Sequence, residues 1–400
     1  MARKDILHLA QDEKFINAAN YLFEKAFPGA NRFVIIKPQG NPETKYVKDK
    51  DSIDLQYEIR SNETLDRLLK LIDNHEITVF HGLDKLKGAL FLESNNKNRF
   101  MSIIYGAEIY NKQISEQELY GPRTEKLRES LQKENIIDFF KDIYRKLIYS
   151  DFNDVKDVNL KDVLFKIKVF GSLPSFSYQK LIEKGIYNPS VKKIPFTYYP
   201  IEYIIDNKEM RANGPDILLG NSASATNNHL EAMNLLNRQN IEDRCIYTPL
   251  SYGRKKYANA IISEGKKLFP DCFKPLTTFL PLEEYNEIIS RCGIVIMNHY
   301  RPQGMGNIIT SLYMGAKVFL NDTDAYNYFK KLGCHIYLID KDMVNNKNAF
   351  ELLTDEQVNH NRSVLKNELS TTVLVNKMRE SFKEIFDYGH KFENSFQEQY

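Results

Sequence analysis

Tryptophan is absent from this chain of 400 residues, and cysteine is scarce. None of the four cysteines forms a Cys-x-x-Cys pair, and the eight histidines are scattered, so the short ligand spacing of a structural zinc site is missing. The sequence therefore predicts reduced thiols in a cytosolic fold and no metal site.

Long apolar runs and a strong charge imbalance are missing as well. No apolar run approaches the roughly 20 residues of a membrane-spanning helix. The first residues, MARKDILHLAQDEKF, become charged too soon for a signal peptide. The chain has 55 Lys and Arg residues against 53 Asp and Glu residues, and this net charge of +2 argues against a dedicated nucleic-acid binder. We expect neither a spanning nor a secreted protein.

Apolar side chains, by contrast, are plentiful enough for more than one core. They make up 42% of the sequence, with 24 Phe and 24 Tyr residues, which excludes disorder as the main state. Strand-like segments alternate with helical ones in both halves, for example Asp5–Ala10, Arg32–Lys37 and Gly293–Met297. This alternation predicts two doubly wound α/β domains facing a cleft, with ligands at the carboxyl ends of parallel strands.

The first chemically informative segment is the polar loop Gly220–Asn228, which follows the strand-like Asp216–Leu219. A glycine and small hydroxyl residues before a helix offer backbone N–H groups and a positive dipole end to an anion. Ser222, Ser224 and Thr226 could donate to phosphate oxygens. The loop matches no Walker or G-x-G-x-x-G pattern, and an ordinary, well-capped βα loop remains the alternative.

A second turn of the same kind joins a strand to a helix over Asn298–Asn307 (NHYRPQGMGN). Gly304 and Gly306 leave backbone amides accessible, and Arg301 is a permanent cation suited to a diphosphate. A surface ion pair is the alternative for Arg301.

Two residues in the first half are candidates for proton transfer. His81 ends a strand-like segment, and Glu108 follows the glycine turn after another. Each could instead be structural, His81 as a bonded donor at a strand end and Glu108 as an acid at a helix start. The Asp-x-Asp sequences at 322–324 and 340–342 are more typical of turns and caps than of a magnesium site.

Residues 136–170 interleave Lys and Arg with Phe, Tyr, Ile and Leu. This pattern predicts two amphipathic helices that either lie on an anionic membrane or pack on the sheet.

Several of these segments together resemble a known family. Leu280–Asn321 is similar to the donor half of GT-B glycosyltransferases. More narrowly, Val79–Gly82 (VFHG), Tyr105–Tyr110 (YGAEIY), Gly220–His229 (GNSASATNNH) and Gln303–Asn307 (QGMGN) resemble the TDP-N-acetylfucosamine:lipid II N-acetylfucosaminyltransferases of enterobacterial common antigen synthesis.

The resemblance implies a GT-B fold, a dTDP-sugar donor as substrate, no cofactor and no metal. It further implies a polyprenyl-diphosphate-linked acceptor and peripheral attachment to the cytoplasmic face of the inner membrane. Residues 1–200 are expected to form the acceptor-binding domain, to which a final helix in residues 375–400 crosses back, and residues 201–374 the donor-binding domain. The expected catalytic residues are Glu108 and His81. The expected donor-binding residues are Gly220, Asn221, Ser222, Asn228, Pro249, Tyr252, Arg301, Gln303, Gly304, Gly306 and Asn307.

The chain departs from related patterns at a few positions. Many GT-B enzymes carry two glutamates where Gln303 and Ser311 stand here, and the second of these holds the nucleotide ribose. The narrow family also lacks this acidic pair, so the departure leaves the expected chemistry in place and only the ribose contact open. Tyr105 and Glu108 stand where Trp and Asp are expected in the narrow family. Two alternatives remain from sequence: a nucleotide-sugar 2-epimerase of the same fold, and a non-catalytic glycosyltransferase-like scaffold subunit. Whether the anomeric configuration is inverted or retained stays open.

Overall fold

The computed structural model describes residues 5–37, 44, 46–47, 56–59, 62–106, 108–110, 119–133, 158–172, 178–205, 209–239, 241 and 244–388. The chain folds into two compact units. The first unit contains residues 1–117, 143–200 and 371–400, and the second unit contains residues 118–142 and 201–370.

The first unit is built on a seven-stranded, all-parallel sheet in the order β3-β2-β1-β4-β5-β6-β7. Its strands are β1 (Ile6–Ala10), β2 (Asn31–Lys37), β3 (Gln56–Ile59), β4 (Ile77–His81), β5 (Phe100–Ile103), β6 (Val169–Ser172) and β7 (Lys192–Pro195). Its helices are α1 (Ile16–Ala26), α2 (Asn62–Asp73), α3 (Lys85–Glu93), α5 (Leu160–Lys166), α6 (Tyr178–Glu183) and the final helix α14 (Thr371–Phe386).

The second unit has a six-stranded parallel sheet in the order β10-β9-β8-β11-β12-β13. Its strands are β8 (Ile217–Leu219), β9 (Ile246–Pro249), β10 (Phe273–Leu276), β11 (Ile294–Met297), β12 (Lys317–Leu320) and β13 (Tyr337–Leu338). Its helices are α4 (Pro122–Lys133), α7 (Ile201–Ile204), α8 (His229–Leu236), α9 (Lys255–Leu268), α10 (Leu282–Arg291), α11 (Met305–Met314), α12 (Asp324–Lys331) and α13 (Asp355–Leu369).

Hydrophobic periodicity accounts for most of these elements. In α1, the side chains of Ala18, Ala19, Leu22, Phe23 and Ala26 are buried, as their helical spacing predicts. Strands β1, β4, β11 and β12 are buried along their whole length, which is typical of parallel strands covered on both faces.

Strand order determines where a ligand can bind. In both sheets the chain reverses its direction of winding between the first and the fourth strand, which are β1 and β4 in the first unit and β8 and β11 in the second. The crevice beyond the carboxyl ends of two such strands is the usual binding position in doubly wound folds. Both glycine turns of the second unit follow its two switch-point strands.

Two parts of the structure differ from the sequence expectations. Helix α4 lies within residues 1–200, yet it belongs to the second unit, where it packs on α8. Strands β7 and β10 are not among the predicted strands, and each contains a proline. Both are edge strands, where the missing N–H of proline is tolerated.

The basic and aromatic segment 136–170 lies largely outside the described residues. Of its second predicted helix, α5 is described, and Val163, Leu164 and the following Ile167 are buried. No helix in the described part of the chain is long and apolar enough to cross a membrane.

Candidate functional site

The turn after β8 is shaped around Gly220. This residue has a φ of 69°, in the left-handed region, and its N–H donates to the carbonyl of Ile296 at 2.9 Å. A Cβ atom here would lie 2.6 Å from Nε2 of His229 and 2.8 Å from Oδ1 of Asn227, so a side chain would clash. Glycine is therefore required both by the backbone angle and by the space.

Asn227 holds the loop that follows. Its Oδ1 accepts from the N–H of Asn221 at 2.8 Å, while its Nδ2 donates to the carbonyl of Ser224 at 3.1 Å and to Oγ of Ser222 at 3.2 Å. Asn227 is completely buried. The buried side-chain amide of Asn227 therefore fixes the loop by bonding Asn221, Ser222 and Ser224 at once.

The turn after β11 has the same character. Gly304 has a φ of 69° and is the N-cap of α11. A Cβ atom at this position would lie 3.1 Å from Cε1 of His299 and 3.3 Å from Cγ of Asn221. Because the first N–H groups of a helix have no acceptor within it, Met305, Gly306 and Asn307 offer donors at a positive helix end that has no acidic residue in its first turn.

Side-chain hydrogen bonds join the two turns. Thr226 donates to Oε1 of Gln303 at 2.6 Å, and Nε2 of Gln303 donates to Oδ1 of Asn221 at 3.2 Å. Nε2 of His299 lies 2.9 Å from Oδ1 of Asn227. That oxygen can only accept, so this nitrogen of His299 carries the hydrogen.

The side-chain amides of Asn228 and Asn298 add two further hydrogen bonds between the turns. Asn228, at a φ of 49°, and Asn298 each donate from the side chain to the backbone carbonyl of the other, at 3.2 and 3.0 Å. Asn228 also bonds the segment before α4, donating to the carbonyl of Leu119 and accepting from the N–H of Gly121. The two turns therefore form one pre-organised structure.

Arg301 supplies the positive charge beside this structure. Its side chain is half-buried, and Nη1 lies 3.3 Å from the carbonyl oxygen of Pro302. Burial, followed by the charge of Arg301, lowers the pKa of His299 to about 3. His299 is therefore a neutral bracing residue at physiological pH, and the cation next to it is Arg301.

The loop after β9 joins the same edge of the sheet. Pro249 is the last residue of that strand, and Tyr252 is 42% exposed. The N–H of Ala223 donates to the carbonyl of Tyr252 at 2.6 Å, and the N–H of Arg254 donates to the carbonyl of Ala223 at 3.1 Å. The expected donor-binding residues thus lie at the end of β9, in the loops that follow β8, β9 and β11, or in the first turn of α11.

Ser311 and the two Asp-x-Asp sequences have local structural surroundings. Ser311 is completely buried within α11, and within the described residues its hydroxyl has no hydrogen-bond partner. Asp322 accepts from Asn327, and Asp342 accepts from the N–H of Leu338 at 2.7 Å, so both carboxylates brace local turns. Within the described part of the chain, no cluster of three or more His, Cys, Asp or Glu residues could hold a metal ion.

In the first unit, His81 is buried in a hydrogen-bonded chain with a defined direction. Nδ2 of Asn31 donates to the carbonyl of Phe27, so Oδ1 of Asn31 accepts from Nε2 of His8 at 3.2 Å. Burial lowers the pKa of His8 to about 3, so the ring is neutral and its Nδ1 accepts from Nε2 of His81 at 3.0 Å. Nδ1 of His81 then accepts from the hydroxyl of Tyr198 at 3.0 Å.

Both ring nitrogens of His81 are therefore occupied by protein groups. Its pKa lies well below its ordinary value, mainly because of burial and further because His8 and Lys87 oppose a positive charge on its ring. His81 can act on a ligand only through Tyr198.

Glu108 connects the loops after β4 and β5. Its Oε1 accepts from the N–H groups of Leu83 and Tyr105, both at 3.2 Å, and its Oε2 accepts from Tyr105 at 3.1 Å. Burial raises the pKa of this carboxyl group, and the backbone hydrogen bonds oppose that rise. Glu108 lies at the carboxyl edge of the sheet, as expected, but its oxygens are engaged by the backbone.

Sequence reasoning did not single out Asn227 or His299, which brace the donor-side turns. Nor did it single out Glu13, a half-buried acid in the loop after β1. The position of Glu13 directly after a strand-like segment was the one signal available in the sequence.

Solved structures of glycosyltransferases share this fold. A glycosyltransferase from Rickettsia africae is 15% identical with a TM-score of 0.62, covering 96% of this chain and 99% of its own. HepE from Anabaena, solved in complex with UDP-glucose, is 9% identical with a TM-score of 0.61, covering 95% and 99%. Sucrose-phosphate synthase from Thermosynechococcus elongatus is also 9% identical with a TM-score of 0.61, covering 96% and 100%. The chain has the α/β GT-B fold.

The family model described as 4-alpha-L-fucosyltransferase, glycosyl transferase group 56, matches residues 167–375. This range is more than half of the chain and includes every expected donor-binding residue. The chain is therefore a glycosyltransferase that belongs to glycosyl transferase group 56, the 4-alpha-L-fucosyltransferase family.

Proposed function

We propose that this enzyme transfers a deoxy-amino sugar of the N-acetylfucosamine type from a dTDP-sugar to a polyprenyl-diphosphate-linked saccharide. The four segments that resemble the N-acetylfucosaminyltransferases support this assignment, and the family description names the transfer of a related 6-deoxy sugar. HepE, whose solved complex contains UDP-glucose, supports a nucleotide-sugar donor.

The observation that carries the proposal is the pair of braced glycine turns at the switch point of the second sheet. They combine backbone N–H groups, the positive end of α11 and the cation Arg301, with no acid in the first turn of that helix. A diphosphate needs this combination of donors and positive charge.

The chemistry follows from where charge develops. As the acceptor oxygen bonds to the anomeric carbon, the bond from that carbon to the diphosphate breaks, and its electron pair leaves with the diphosphate. N–H groups fixed in place before the reaction, together with Arg301, stabilise this negative charge. The loss of one such donor typically costs about 3–4 kcal/mol of transition-state stabilisation.

The acceptor hydroxyl must lose its proton, and the carboxyl edge of the first sheet supplies the candidate groups. Glu108 is the residue to which the sequence points, and its raised pKa suits a base. His81 would participate through Tyr198, whose hydroxyl donates to it.

We further propose that the protein attaches peripherally to the cytoplasmic face of the inner membrane, through the basic and aromatic segment 136–170. A lipid-linked acceptor stays at the membrane, so an enzyme that uses it benefits from a weak electrostatic tether.

A thermal-shift comparison of dTDP, UDP and GDP tests the donor class, because a ligand stabilises the state that it binds. We expect the largest increase in melting temperature with dTDP, a smaller one with pyrophosphate and none with thymidine. A larger shift with UDP would change the donor nucleotide. No shift with any of the three nucleotides would contradict the proposal.

A further inference from the structure

The switch point of the first sheet lies between β1 and β4, and the loop after β1 contains an acid that the reaction described above does not use. This loop, Gln11–Phe15, leads from β1 to α1, and Glu13 lies in its middle. By the general rule for doubly wound folds, this loop borders the ligand crevice of the first unit. Glu108 follows β5, one strand further from the switch point.

The carboxylates around Glu13 have structural roles. Oδ1 of Asp12 accepts from the N–H groups of Tyr46 and Val47 at 3.1 and 3.0 Å. Asp84 caps α3 and accepts from the ammonium of Lys87 at 2.9 Å and from Nε2 of Gln11 at 2.8 Å. These hydrogen bonds fix the loops on both sides of the crevice.

Glu13 differs from these acids. Within the described residues, no hydrogen bond reaches its side-chain oxygens, although the side chain is half-buried. Its backbone is fixed, since the carbonyl of Glu13 accepts from the N–H of Ile16 at 3.1 Å. Two residues further on, the ring of Phe15 packs 5.4 Å from that of Tyr105 and 5.3 Å from that of Tyr198. Within the described residues, this carboxylate is thus held on a fixed backbone without a hydrogen bond to its oxygens.

The surroundings of Glu13 also strengthen it as a base. Burial raises its pKa above the ordinary value, Asp12 and Glu108 raise it further, and Lys14 and Lys87 oppose the rise. A higher pKa makes a carboxylate a better proton acceptor.

We propose that Glu13 is the general base for the acceptor hydroxyl, an assignment that rests on the proposed glycosyl transfer. Glu108 accepts three hydrogen-bond contacts from two backbone N–H groups and thereby holds the loops of Leu83 and Tyr105, so we assign it a positioning role. His81 has both nitrogens occupied. Among the acids described at this edge, Glu13 combines partial exposure with side-chain oxygens that no described residue reaches by a hydrogen bond.

The proton of the acceptor hydroxyl passes to a side-chain oxygen of Glu13 while the acceptor oxygen forms its bond to the anomeric carbon of the donor. The bond from that carbon to the diphosphate breaks, and the electron pair leaves on the diphosphate. Glu13 then releases the proton to solvent.

The test compares Glu13→Gln, Glu13→Asp and Glu13→Ala with the matched control Glu93→Gln, an exposed acid at the end of α3. Transfer is measured with a dTDP-linked N-acetylfucosamine donor and a polyprenyl-diphosphate-linked saccharide, and dTDP affinity is measured by calorimetry. We expect Glu13→Gln to lower kcat by about 10²-fold or more with unchanged dTDP affinity, and Glu13→Asp to retain part of the activity. Added formate should restore turnover to Glu13→Ala, and Glu93→Gln should behave as wild type.

The outcomes separate this proposal from the one on which it rests. If the wild type transfers sugar and Glu13→Gln stays within threefold of it, Glu13 is not the base. The same conclusion follows if Glu13→Ala folds, binds dTDP and is not rescued by formate. If the wild type neither binds dTDP nor transfers sugar, the proposed function itself is wrong.

Discussion

Thr226 donates a 2.6 Å hydrogen bond to the side-chain oxygen of Gln303, and this bond fastens the turn after β8 to the turn after β11. Gln303 also donates to Asn221, so one side chain spans both loops. Many GT-B enzymes carry a glutamate at this position, as noted above. Here a neutral amide serves as a brace and adds no negative charge to the site proposed for the diphosphate.

Replacing Gln303 by alanine should loosen the two turns. We expect Gln303→Ala to weaken dTDP binding about five- to tenfold, since a side-chain hydrogen bond contributes on the order of 1 kcal/mol. Calorimetric titration gives the affinity, and Gln179→Ala on the exposed side of α6 is the control. An unchanged dissociation constant would show that the brace does not shape the donor site.

Arg301→Ala should weaken dTDP binding and turnover together, because the guanidinium is expected to contact the diphosphate in both the ground state and the transition state. The loss of a charge-assisted contact predicts a decrease in affinity of about tenfold or more. Arg211→Ala is the matched control, because it removes an arginine of the same unit that pairs with Asp355 at 2.8 Å. Wild-type affinity in Arg301→Ala would mean that the diphosphate binds elsewhere.

Glu108→Gln should act mainly on stability. The amide nitrogen of glutamine cannot accept from the N–H of Tyr105, so we expect the free energy of unfolding to fall by about 1–3 kcal/mol. Urea unfolding measures this change, and Glu93→Gln again provides the control. A decrease in turnover of about 10²-fold at unchanged stability would instead make Glu108 the base and argue against Glu13.

Protonation of buried histidines should destabilise the second unit below neutral pH. Burial lowers the pKa of His229 to about 3, whereas in the unfolded chain it is about 6.5. The unfolded state therefore binds more protons between these values, and stability falls as the pH drops through 6.5 towards 3. Between pH 7 and 5 this histidine alone should cost about 2 kcal/mol.

The variant His229→Gln isolates that contribution. Its unfolding free energy should fall less steeply between pH 7 and 5 than that of the wild type, by about the same 2 kcal/mol. Urea unfolding at both pH values provides the measurement. Identical pH slopes for the two proteins would refute a neutral, buried His229.

Lys141, Arg145 and Lys146 lie outside the described residues, and their role at the membrane remains a prediction from sequence. Changing all three to glutamate should release the protein from vesicles of anionic lipid, with each charge contributing about 1 kcal/mol near the surface. Lys180, Lys184 and Lys192, which are exposed in the first unit, are the matched control set. Equal sedimentation of both triple variants with vesicles would eliminate the tether.

The sequence predicted the features that depend on local periodicity and on chain order. The buried face of α1, the strands β1, β4, β11 and β12, and the positions of Gly220 and Gly304 in turns between a strand and a helix all follow from spacing. The α/β GT-B fold was predicted correctly on this basis together with the resemblance.

Side-chain partners could not be predicted in the same way. The bond between His299 and Asn227 joins residues 72 positions apart, and no local pattern encodes it. Within the described residues, backbone N–H groups donate to the carboxylate of Glu108 but not to that of Glu13. This difference depends on how the loops are arranged in the folded chain. The edge positions of β7 and β10, where a proline is tolerated, are visible only in the order of the sheet and not in the sequence.

The attachment of α4 to α8 has a consequence for synthesis of the chain. Thr124 donates from its backbone to Oε1 of Glu231 at 2.8 Å, so a segment translated early stays without its partner until about 100 more residues have been added. The first unit likewise waits for α14, which packs on α1 and β7 and is translated after the whole of the second unit. Folding of the second unit therefore extends to residue 370, and folding of the first unit continues beyond it to α14.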